Sequence, residues 1–474
     1  MISHIARFVF LILEVVVLFN LLIAVHELGH FLAAKWRKLY IEQFGIWFGK
    51  PIWQKKIDGV LYSIGSIPAG GFVKLPQLAP MDIIEGEADV DREKLPPISV
   101  LDKIIVALAG PVFSLLLALA FACIVWAVGR PVGESDVTTT IGYVMPDSSA
   151  AKVGLQPGDR ILSVDGHKVS RFLGMNDSVS WNVVRSEGET VAVEFERGGK
   201  EQTVQVLPYK PASAGWHRQG TRQLLISPAE SAVIEKVEPN TPAAAAGLRQ
   251  HDIVTAYNNT TIYSPIALAD YIDKHPTEEL ALTVERNAQR LTVKVKPTLL
   301  PTEGKMKPRI GIGWDTAGRT FIAHTNPFEQ VYKSVTGTLE TLGAVASPKS
   351  DVKFQHMSGP IGIGHIYYLL FENERGWQLA LWFSVILNVN LAILNMLPIP
   401  VLDGGHIGLA ILEGIRRKPI NIRFLEYVQT GCAVMIIGYI CYVSFFDIGD
   451  FFGSKGDPAD ATRAPSVHKA AARP

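Results

Sequence analysis

The strongest constraint on the fold of this chain is a metal-binding pattern inside an apolar segment. His26-Glu27-Leu28-Gly29-His30 lies within the stretch Ile5–Ala34, which is long enough to span a bilayer. On a helix, His26 and His30 lie one turn apart on the same face, so both imidazoles can bind one metal ion beside Glu27. Each ionisable group in a lipid-facing helix costs about 2.5–3.5 kcal/mol, so we expect these groups to face a protein interior. The pattern predicts a hydrolytic zinc site within a membrane span.

Composition narrows the class of protein. The 474 residues include 45 Lys and Arg against 45 Asp and Glu, which suits several domains with a membrane part and predicts no nucleic-acid partner. The three cysteines, Cys123, Cys432 and Cys441, lie in apolar runs, which argues against disulfides or a thiolate zinc site. We expect the first apolar segment to be retained as a span rather than removed as a signal peptide.

Four segments are apolar and long enough to cross a bilayer, and the soluble residues lie between the second and the third. The predicted spans are about Ile5–Ala34, Ile104–Val128, Trp377–Leu397 and Val428–Phe446. Lys and Arg residues follow the first span and lie between the third and fourth, and such loops stay in the cytoplasm. This predicts a multi-pass membrane protein whose middle region lies outside the cytoplasm, which in a bacterial cell is the periplasmic side of the inner membrane. The zinc motif is expected within the membrane towards the cytoplasmic side.

The middle region repeats itself at an offset of 93 residues, so that Gly154-Leu155 aligns with Gly247-Leu248 and Asp159 with Asp252. Each copy reads as strand, turn, Ala-rich helix, Gly-Leu and short alternating strands, and this order resembles a tandem of PDZ domains. The second copy has His251 and Asn259 where the first has Gly158 and Gly166. We expect the second copy to have the same fold, whereas its turns can differ from those of the first copy. PDZ domains capture peptide ends at a sheet edge, and a spacer or steric filter is the equal alternative.

The histidine pair needs a third protein ligand, because catalytic zinc usually has three ligands and one open position. The third span ends in Asn395-Met396-Leu397-Pro398-Ile399-Pro400-Val401-Leu402-Asp403-Gly404-Gly405-His406. Two prolines interrupt this helix, and irregular backbone at membrane depth is tolerated where it is buried or lines a water-filled cavity. We predict that Asp403 is the third ligand. His406 is the rival ligand, and an Asp403 that caps a following helix is the structural alternative.

The chain resembles the site-2 protease family of intramembrane zinc metalloproteases over nearly its whole length. The resemblance rests on the first-span motif, the tandem repeats and four short motifs: Gly70-Gly71-Phe72-Val73-Lys74, Gly110-Pro111, Ser358-Gly359-Pro360 and Leu402-Asp403-Gly404. It implies that His26, His30 and Asp403 bind Zn²⁺ and that Glu27 is the general base, which demotes His406. The polar tail beyond about Gly453 departs from the family pattern.

The resemblance also implies how a substrate is bound. A transmembrane helix shields its carbonyls in its own hydrogen bonds, so cleavage requires local unwinding. The segment Ile64–Lys74 is predicted to form a membrane-dipping β-hairpin whose free edge pairs with the unwound chain. The predicted substrate-binding residues are Gly70, Gly71, Phe72, Val73, Asn390 and Asn395. Asn395 is expected to hydrogen-bond the substrate backbone, and interhelical hydrogen bonding is the alternative for Asn390.

The predicted fold is a polytopic α-helical membrane protein with four transmembrane helices and a membrane-dipping β-hairpin, plus two soluble PDZ-like α/β domains. The predicted domains are a first part of the protease core at residues 1–137, PDZ-like domains at 138–210 and 228–300, an amphipathic helix with the second part of the core at 324–452, and a disordered tail at 453–474. The amphipathic helix rests on apolar residues at three- and four-residue steps from Phe328 to Val345.

The predicted activity is that of a zinc metalloendopeptidase that cuts within transmembrane segments of single-span proteins. The resemblance implies anti-sigma factors or remnant signal peptides, already trimmed outside the membrane. The other predicted partners are the lipid bilayer and peptide ends at the PDZ-like domains. One alternative is a PDZ scaffold with an inactive metal site, against which the intact zinc motif argues. The other is a membrane-tethered metalloprotease that cuts soluble loops, which the depth of the motif disfavours.

Overall fold

The structure, a computed structural model, describes residues 2–78, 95–212, 218–302, 305–315, 318–418 and 420–453. The chain divides into two compact units. The membrane unit comprises Met1–Arg130, Ala323–Glu340 and Met357–Ile448, and the repeat unit comprises Pro131–Ile322, Thr341–His356 and Gly449–Pro474. The predicted disordered tail lies outside the described residues from position 454 onwards.

Helices and strands are numbered in chain order. The helices are α1 (Ile2–Trp36), α2 (Val100–Val128), α3 (Ser149–Lys152), α4 (Val179–Arg185), α5 (Pro242–Ala245), α6 (Pro265–Lys274), α7 (Pro327–Ala346), α8 (Pro360–Glu372), α9 (Gly376–Asn395), α10 (Asp403–Arg416) and α11 (Ile422–Gly453). The strands are β1 (Gln43–Phe48), β2 (Trp53–Ile57), β3 (Val60–Ile64), β4 (Ile67–Lys74), β5 (Arg130–Gly133), β6 (Ile141–Val144), β7 (Arg160–Val164), β8 (His167–Lys168), β9 (Val191–Arg197), β10 (Lys200–Val206), β11 (Ile226–Pro228), β12 (Ala232–Val237), β13 (Ile253–Tyr257), β14 (Thr260–Thr261), β15 (Leu280–Arg286), β16 (Gln289–Val295), β17 (Thr298–Thr302), β18 (Lys305–Arg309), β19 (Ile312–Trp314) and β20 (Thr320–Ala323).

Among the described residues, four helices are long and apolar enough to cross a membrane, as predicted. The spanning parts are Val9–Trp36, Val100–Val128, Gly376–Asn395 and Arg423–Asp450, in α1, α2, α9 and α11. The start of α2 shows why a span begins where it does: the Ser99 hydroxyl accepts from the Asp102 amide, and the Asp102 carboxylate accepts from the Ser99 amide. This capping box satisfies amide groups that have no partner within the helix. The predicted amphipathic helix corresponds to α7.

The sheet of the membrane unit has the strand order β2-β3-β1-β4, which leaves β4 at an edge. Strand β4 runs antiparallel to β1, with Phe44 opposite Val73 and Gly45 opposite Phe72. The predicted hairpin within Ile64–Lys74 is therefore wrong in detail, because Ile67–Lys74 forms one strand whose partner lies before it in the chain. The predicted free edge in this segment is present, because β4 is the last strand of the sheet.

The repeat unit contains two domains with matching secondary structure. In the first, a sheet of order β10-β9-β7-β8 and the pair β11-β6 enclose a core that includes Ile141, Ile161 and Phe195. In the second, the order is β16-β15-β13-β12-β19, and the core includes Ile234 and Leu282. The second sheet continues through β19, beyond residue 300, and the domain boundaries themselves stay predictions.

The turns that distinguish the two copies in sequence have the same backbone conformation. Gly158 and His251 have φ angles of 95° and 68°, and Gly166 and Asn259 have φ angles of 77° and 65°. The amide of Gly158 donates to Ile141 O over 2.8 Å, and the amide of His251 donates to Ile234 O over 2.7 Å. The second domain thus keeps left-handed turns without glycine, which costs strain because of the side-chain Cβ.

A carboxylate in the last span explains the motif Ser358-Gly359-Pro360. The amides of Gly359 and Gly362 both donate to Asp447 Oδ2 over 3.0 Å, at the start of α8. Backbone amides at the N-terminus of a helix lack partners within it and favour a nearby anion. A Cβ at Gly359 would approach Asp447 Oδ2 to 2.9 Å, so the glycine allows α11 to lie close to the start of α8.

Candidate active site

Two neighbouring histidines of the first span and an aspartate more than 370 residues later meet at one point of the membrane unit. His26 and His30 come from α1, and Asp403 comes from the first turn of α10. His26 Nε2 lies 3.2 Å from Asp403 Oδ2, His30 Nε2 lies 3.3 Å from Asp403 Oδ1, and the two Nε2 atoms are 3.3 Å apart. Among the described residues, His26, His30 and Asp403 form the one group of three or more metal-ligating side chains that lie close enough to hold a metal ion. Its members are the three ligands predicted from the sequence.

Hydrogen bonds on the far side of each imidazole fix which nitrogen faces the cluster. His30 Nδ1 lies 2.8 Å from Val106 O, and His26 Nδ1 lies 3.0 Å from Ser114 Oγ. A carbonyl only accepts, so the proton of a neutral His30 lies on Nδ1 and its Nε2 lone pair points at the cluster. Such bonds to the second nitrogen are typical of metal-bound histidine. Neither Ser114 nor Val106 carries a sequence signal of its own, and both were missed by the sequence analysis.

The three ligand atoms fit a zinc ion. Ligands about 2.0–2.1 Å from a tetrahedral zinc lie about 3.3 Å from one another. The two Nε2 atoms are 3.3 Å apart, and each lies at a similar distance from one carboxylate oxygen of Asp403, 3.2 Å from Oδ2 for His26 and 3.3 Å from Oδ1 for His30. Two imidazoles and one carboxylate are a donor set of catalytic zinc sites, in which the fourth position is left for water. Asp403 Oδ2 is buried and makes no hydrogen bond to any described residue, as expected of an oxygen that binds a metal.

Glycine allows α1 and α2 to approach closely at this point. A Cβ at Gly110 would lie 2.8 Å from His26 Nε2 and would overlap His30 Nε2, and a Cβ at Gly29 would lie 2.9 Å from Phe113 Cβ. Any larger residue at Gly110 would displace the imidazoles. The Gly110-Pro111 motif therefore has a direct role in the shape of the metal site.

The turn after the third span carries Asp403 into the cluster. Helix α9 ends at Asn395, and α10 begins at Asp403 with Leu402 in the N-cap position and no side-chain cap. The alternative in which the Asp403 side chain caps the helix is therefore wrong. His406 lines the cavity one turn further along α10, but it is not part of the three-ligand cluster.

A cavity of about 340 Å³ opens beside the cluster. Glu27 lines it together with the three ligands, and Gly71, Phe72 and Val73 of the edge strand β4 form part of its wall. A Cβ at Gly71 would lie 3.2 Å from Glu27 Cγ, so the strand passes directly beside this carboxylate. A chain paired with β4 would lie next to both the metal ligands and Glu27.

The remaining predicted residues are not all at the cavity. Asn395 lines it, and its Nδ2 atom lies 3.2 Å from His26 Nε2. Gly70 precedes the wall residues and has a φ of 84°. Asn390 lies outside the cavity lining and accepts a hydrogen bond from the hydroxyl of Thr338 in α7. This contact is the interhelical hydrogen bond that the sequence left as the alternative for Asn390.

Comparison with known proteins agrees with this geometry. The peptidase family M50 profile matches residues 14–438, which include every residue of the cluster. The chain belongs to peptidase family M50. It is 27% identical to the regulator of sigma-E protease RseP of Escherichia coli over 442 residues, covering 89% of this chain and 94% of the relative. It is also 27% identical to the protease RseP of Yersinia pestis over 451 residues, covering 89% and 94%.

Two further comparisons concern other parts of the prediction. A protein of Neisseria meningitidis serogroup A that is named as a zinc metalloprotease is 29% identical over 444 residues, covering 90% of this chain and 96% of its own. The PDZ domain of an SdrC-like protein of Listeria monocytogenes matches with a TM-score of 0.17 and 21% identity, covering 18% of this chain and 87% of its own. Four helices long and apolar enough to span a membrane and two strand-rich domains of matching secondary structure agree with the predicted fold class, and the protein is a zinc metalloprotease.

Proposed function

We propose that this metalloprotease hydrolyses peptide bonds within the transmembrane segments of single-span membrane proteins. The observation that carries the proposal is the position of the ligand cluster: His26 and His30 lie inside the spanning part of α1, Val9–Trp36, rather than in a loop. A site that cut soluble loops has no need of ligands within a span, where ionisable groups are costly.

The residues around the cluster support defined roles. His26, His30 and Asp403 would hold a zinc ion, which would act as a Lewis acid and make the attacking water easier to deprotonate. Glu27 takes a proton from the attacking water and passes it to the leaving amine, because it lines the cavity beside the ligands without being one of them. Asn395 stabilises the negative charge that develops on the scissile carbonyl oxygen.

Substrate binding is proposed to occur by strand addition to β4. The strand lies at the edge of its sheet and walls the cavity, so an unwound segment that pairs with it brings its carbonyls to Glu27. Extended substrate backbone gains hydrogen bonds from the strand in place of those of its lost helix. Gly71, Phe72 and Val73 are the strand residues that the substrate passes.

The proposed substrate class rests on the relatives of this chain, and its proposed orientation in the membrane rests on the charge of its loops. Relatives named for the regulation of sigma E support an anti-sigma factor as one substrate and leave remnant signal peptides as another. The positive charge of the loops supports an orientation with the two PDZ-like domains in the periplasm of a bacterial cell and the active site towards the cytoplasmic side. The domains then capture peptide ends or exclude untrimmed substrates.

A Glu27→Gln variant tests the proposal. We expect purified Glu27→Gln protein in detergent to retain one zinc ion per chain and to lose at least about 10³-fold of its cleavage rate on a single-span substrate. Mass spectrometry of the parent products should place the cut bond within the apolar segment. Glu14→Gln is the matched control, because Glu14 lies in the same helix and outside the cavity lining.

Two outcomes would contradict the proposal. Full activity of the Glu27→Gln protein would remove Glu27 as the general base. Cleavage by the parent enzyme only in the flanks of the apolar segment would support instead a membrane-tethered protease of soluble loops.

A further inference from the structure

Asn20 is a buried amide in the first span that the proposed mechanism does not use. It lies on α1 six residues before His26, and its side chain is among the buried polar groups, with 9% of its surface exposed. Its Nδ2 atom donates to Val16 O over 2.7 Å, within its own helix, and to Pro68 O over 3.1 Å, in β4. The second bond joins the helix that carries the metal ligands to the edge strand.

The carbonyl that Asn20 binds lies in an irregular part of the strand. Ile46 pairs with Gly71 and Phe48 pairs with Ile67, so β4 has three residues, Pro68 to Gly70, opposite the single residue Trp47. Such a bulge disrupts the ladder and leaves backbone groups without a partner on the neighbouring strand. An amide from α1 supplies the missing donor to Pro68 O.

A second contact between the same helix and strand lies further along. A Cβ at Gly71 would meet Glu27 Cγ at 3.2 Å and Ile23 Cγ2 at 3.7 Å. Asn20, Ile23 and Glu27 are three and four residues apart, so they lie on one face of α1. Strand β4 therefore follows the face of α1 that carries Glu27.

We infer that Asn20 is a positioning residue that sets the register of β4 along α1. This inference rests on the proposed function, in which the substrate pairs with β4. The strand residue that lies beside Glu27 decides which substrate bond reaches the metal, and a slip along the strand changes the bond presented. A bulge is a place where a strand can adjust, and the bond from Asn20 opposes that adjustment.

The test compares three variants in a background without the native cysteines Cys123, Cys432 and Cys441. Asn20→Leu removes the donor at similar volume, and Asn20→Gln keeps an amide. Asn388→Leu is the matched control, because Asn388 is a fully buried span asparagine whose Nδ2 atom donates, among the described residues, to Ser384 O of its own helix. Two readouts are taken on each variant. Cleavage of a single-span substrate is measured in the cysteine-free background, with the cut bonds mapped by mass spectrometry. Cross-linking is measured in the same background after the pair Ile23→Cys and Gly71→Cys is added.

We expect Asn20→Leu to bind zinc as the parent does, to lose about tenfold in kcat/KM, and to cut at one or more neighbouring bonds in addition to the parent bond. Oxidative cross-linking of the cysteine pair should fall at least about threefold, since disulfide geometry tolerates little displacement. Asn20→Gln should restore part of both losses, and Asn388→Leu should match the parent.

Unchanged cross-linking together with a single cut bond in Asn20→Leu would overturn the inference. Equal losses in Asn388→Leu would overturn it as well, because they would show a general effect of removing a buried amide. If the parent cuts no transmembrane segment, the proposed function fails. The register role of Asn20 is then still decided by comparing the cross-linking of Asn20→Leu and Asn388→Leu with that of the parent carrying the same cysteine pair.

Discussion

Asp159, Asp252 and Asp403 are carboxylates withdrawn from water in different parts of the molecule, and their partners differ. In the repeat unit, Arg197 donates two hydrogen bonds to Asp159, both of 2.6 Å, and a third to Gly154 O. Arg286 contacts Asp252 and Gly247 O in the same way. In the membrane unit, Asp403 faces two imidazole nitrogens whose opposite nitrogens are already engaged.

The difference separates a structural carboxylate from a ligand. Asp159 and Asp252 each have a cation and a backbone amide within hydrogen-bonding distance, so their charge is compensated by the fold itself. Asp403 has no lysine or arginine among these close contacts, and it faces two imidazole nitrogens, which together with its carboxylate are a donor set of catalytic zinc sites. A bound metal ion would compensate the charge of this buried carboxylate. Burial alone therefore does not identify a site; the chemical type of the neighbours does.

Replacing Asp403 tests the comparison most severely. We expect Asp403→Ala to lose both bound zinc and all measurable proteolysis, because two imidazoles alone leave the metal with too few ligands. His406→Ala should keep most of its zinc, since His406 lies outside the cluster. Metal analysis by mass spectrometry and a cleavage assay measure both. Reversed losses would make His406 the ligand.

Replacing Asp252 should have the opposite pattern. Asp252→Ala leaves Arg286 without its partner, which should destabilise the second PDZ-like domain by about 2–4 kcal/mol while zinc stays bound. Hydrogen exchange of the amides of β13 and β15 in the full-length protein would measure the loss of protection. Loss of zinc in this variant would show that the two carboxylates are not independent.

The same carboxylate predicts a response to acid. Burial raises the pKa of Asp252, but hydrogen bonds from Arg286 and the Arg249 amide outweigh burial and lower it from its ordinary value. A lowered pKa contributes stability above the unfolded value of about 3.9 and loses it as the pH falls through the folded value. Protection of the second domain should therefore decline below about pH 4, and Asp252→Ala should remove that part of the decline.

The metal centre was largely predictable from sequence because its chemistry depends on spacing. His26, Glu27 and His30 are fixed by one helical turn, and the prolines before Asp403 indicate the break that carries it inward. Ser114 and Asn20 could not be found in this way. Their roles depend on which helix faces lie together, and a lone serine or asparagine in an apolar span has no periodic signal.

Strand pairing was predicted less well for a related reason. The hairpin within Ile64–Lys74 was what the family resemblance implied. The partner of β4 is instead β1, which is separated from it by residues 49–66 and pairs through an irregular register. Alternation of apolar and polar side chains identifies the buried face of a strand but does not identify the strand with which it pairs.

Ser114 offers a smaller test of the arrangement around Asp403. Removing the hydroxyl in Ser114→Ala frees the His26 ring to rotate and to change tautomer, which should weaken zinc binding by about 10–100-fold without abolishing it. Competition with a zinc chelator would measure the affinity. Ser384→Ala is a suitable control, since Ser384 is another buried span serine and contacts Tyr367 rather than a ligand. An unchanged affinity in Ser114→Ala would mean that packing alone orients His26.

The smallest expected effect concerns the turn that delivers Asp252 to its arginine. His251 has the left-handed conformation that Gly158 has in the first domain, and Cβ strain there costs about 1–2 kcal/mol. Glycine relieves that strain but loses more entropy on folding, so His251→Gly should stabilise the second domain by less than about 1 kcal/mol. Gly158→Ala should destabilise the first domain, because its new Cβ is strained and would lie 3.0 Å from the Tyr263 ring. Hydrogen exchange of each domain measures both changes. A loss of stability in His251→Gly would show that the imidazole makes a favourable contact that offsets its backbone strain, and the two turns would then be equivalent in shape but not in energy.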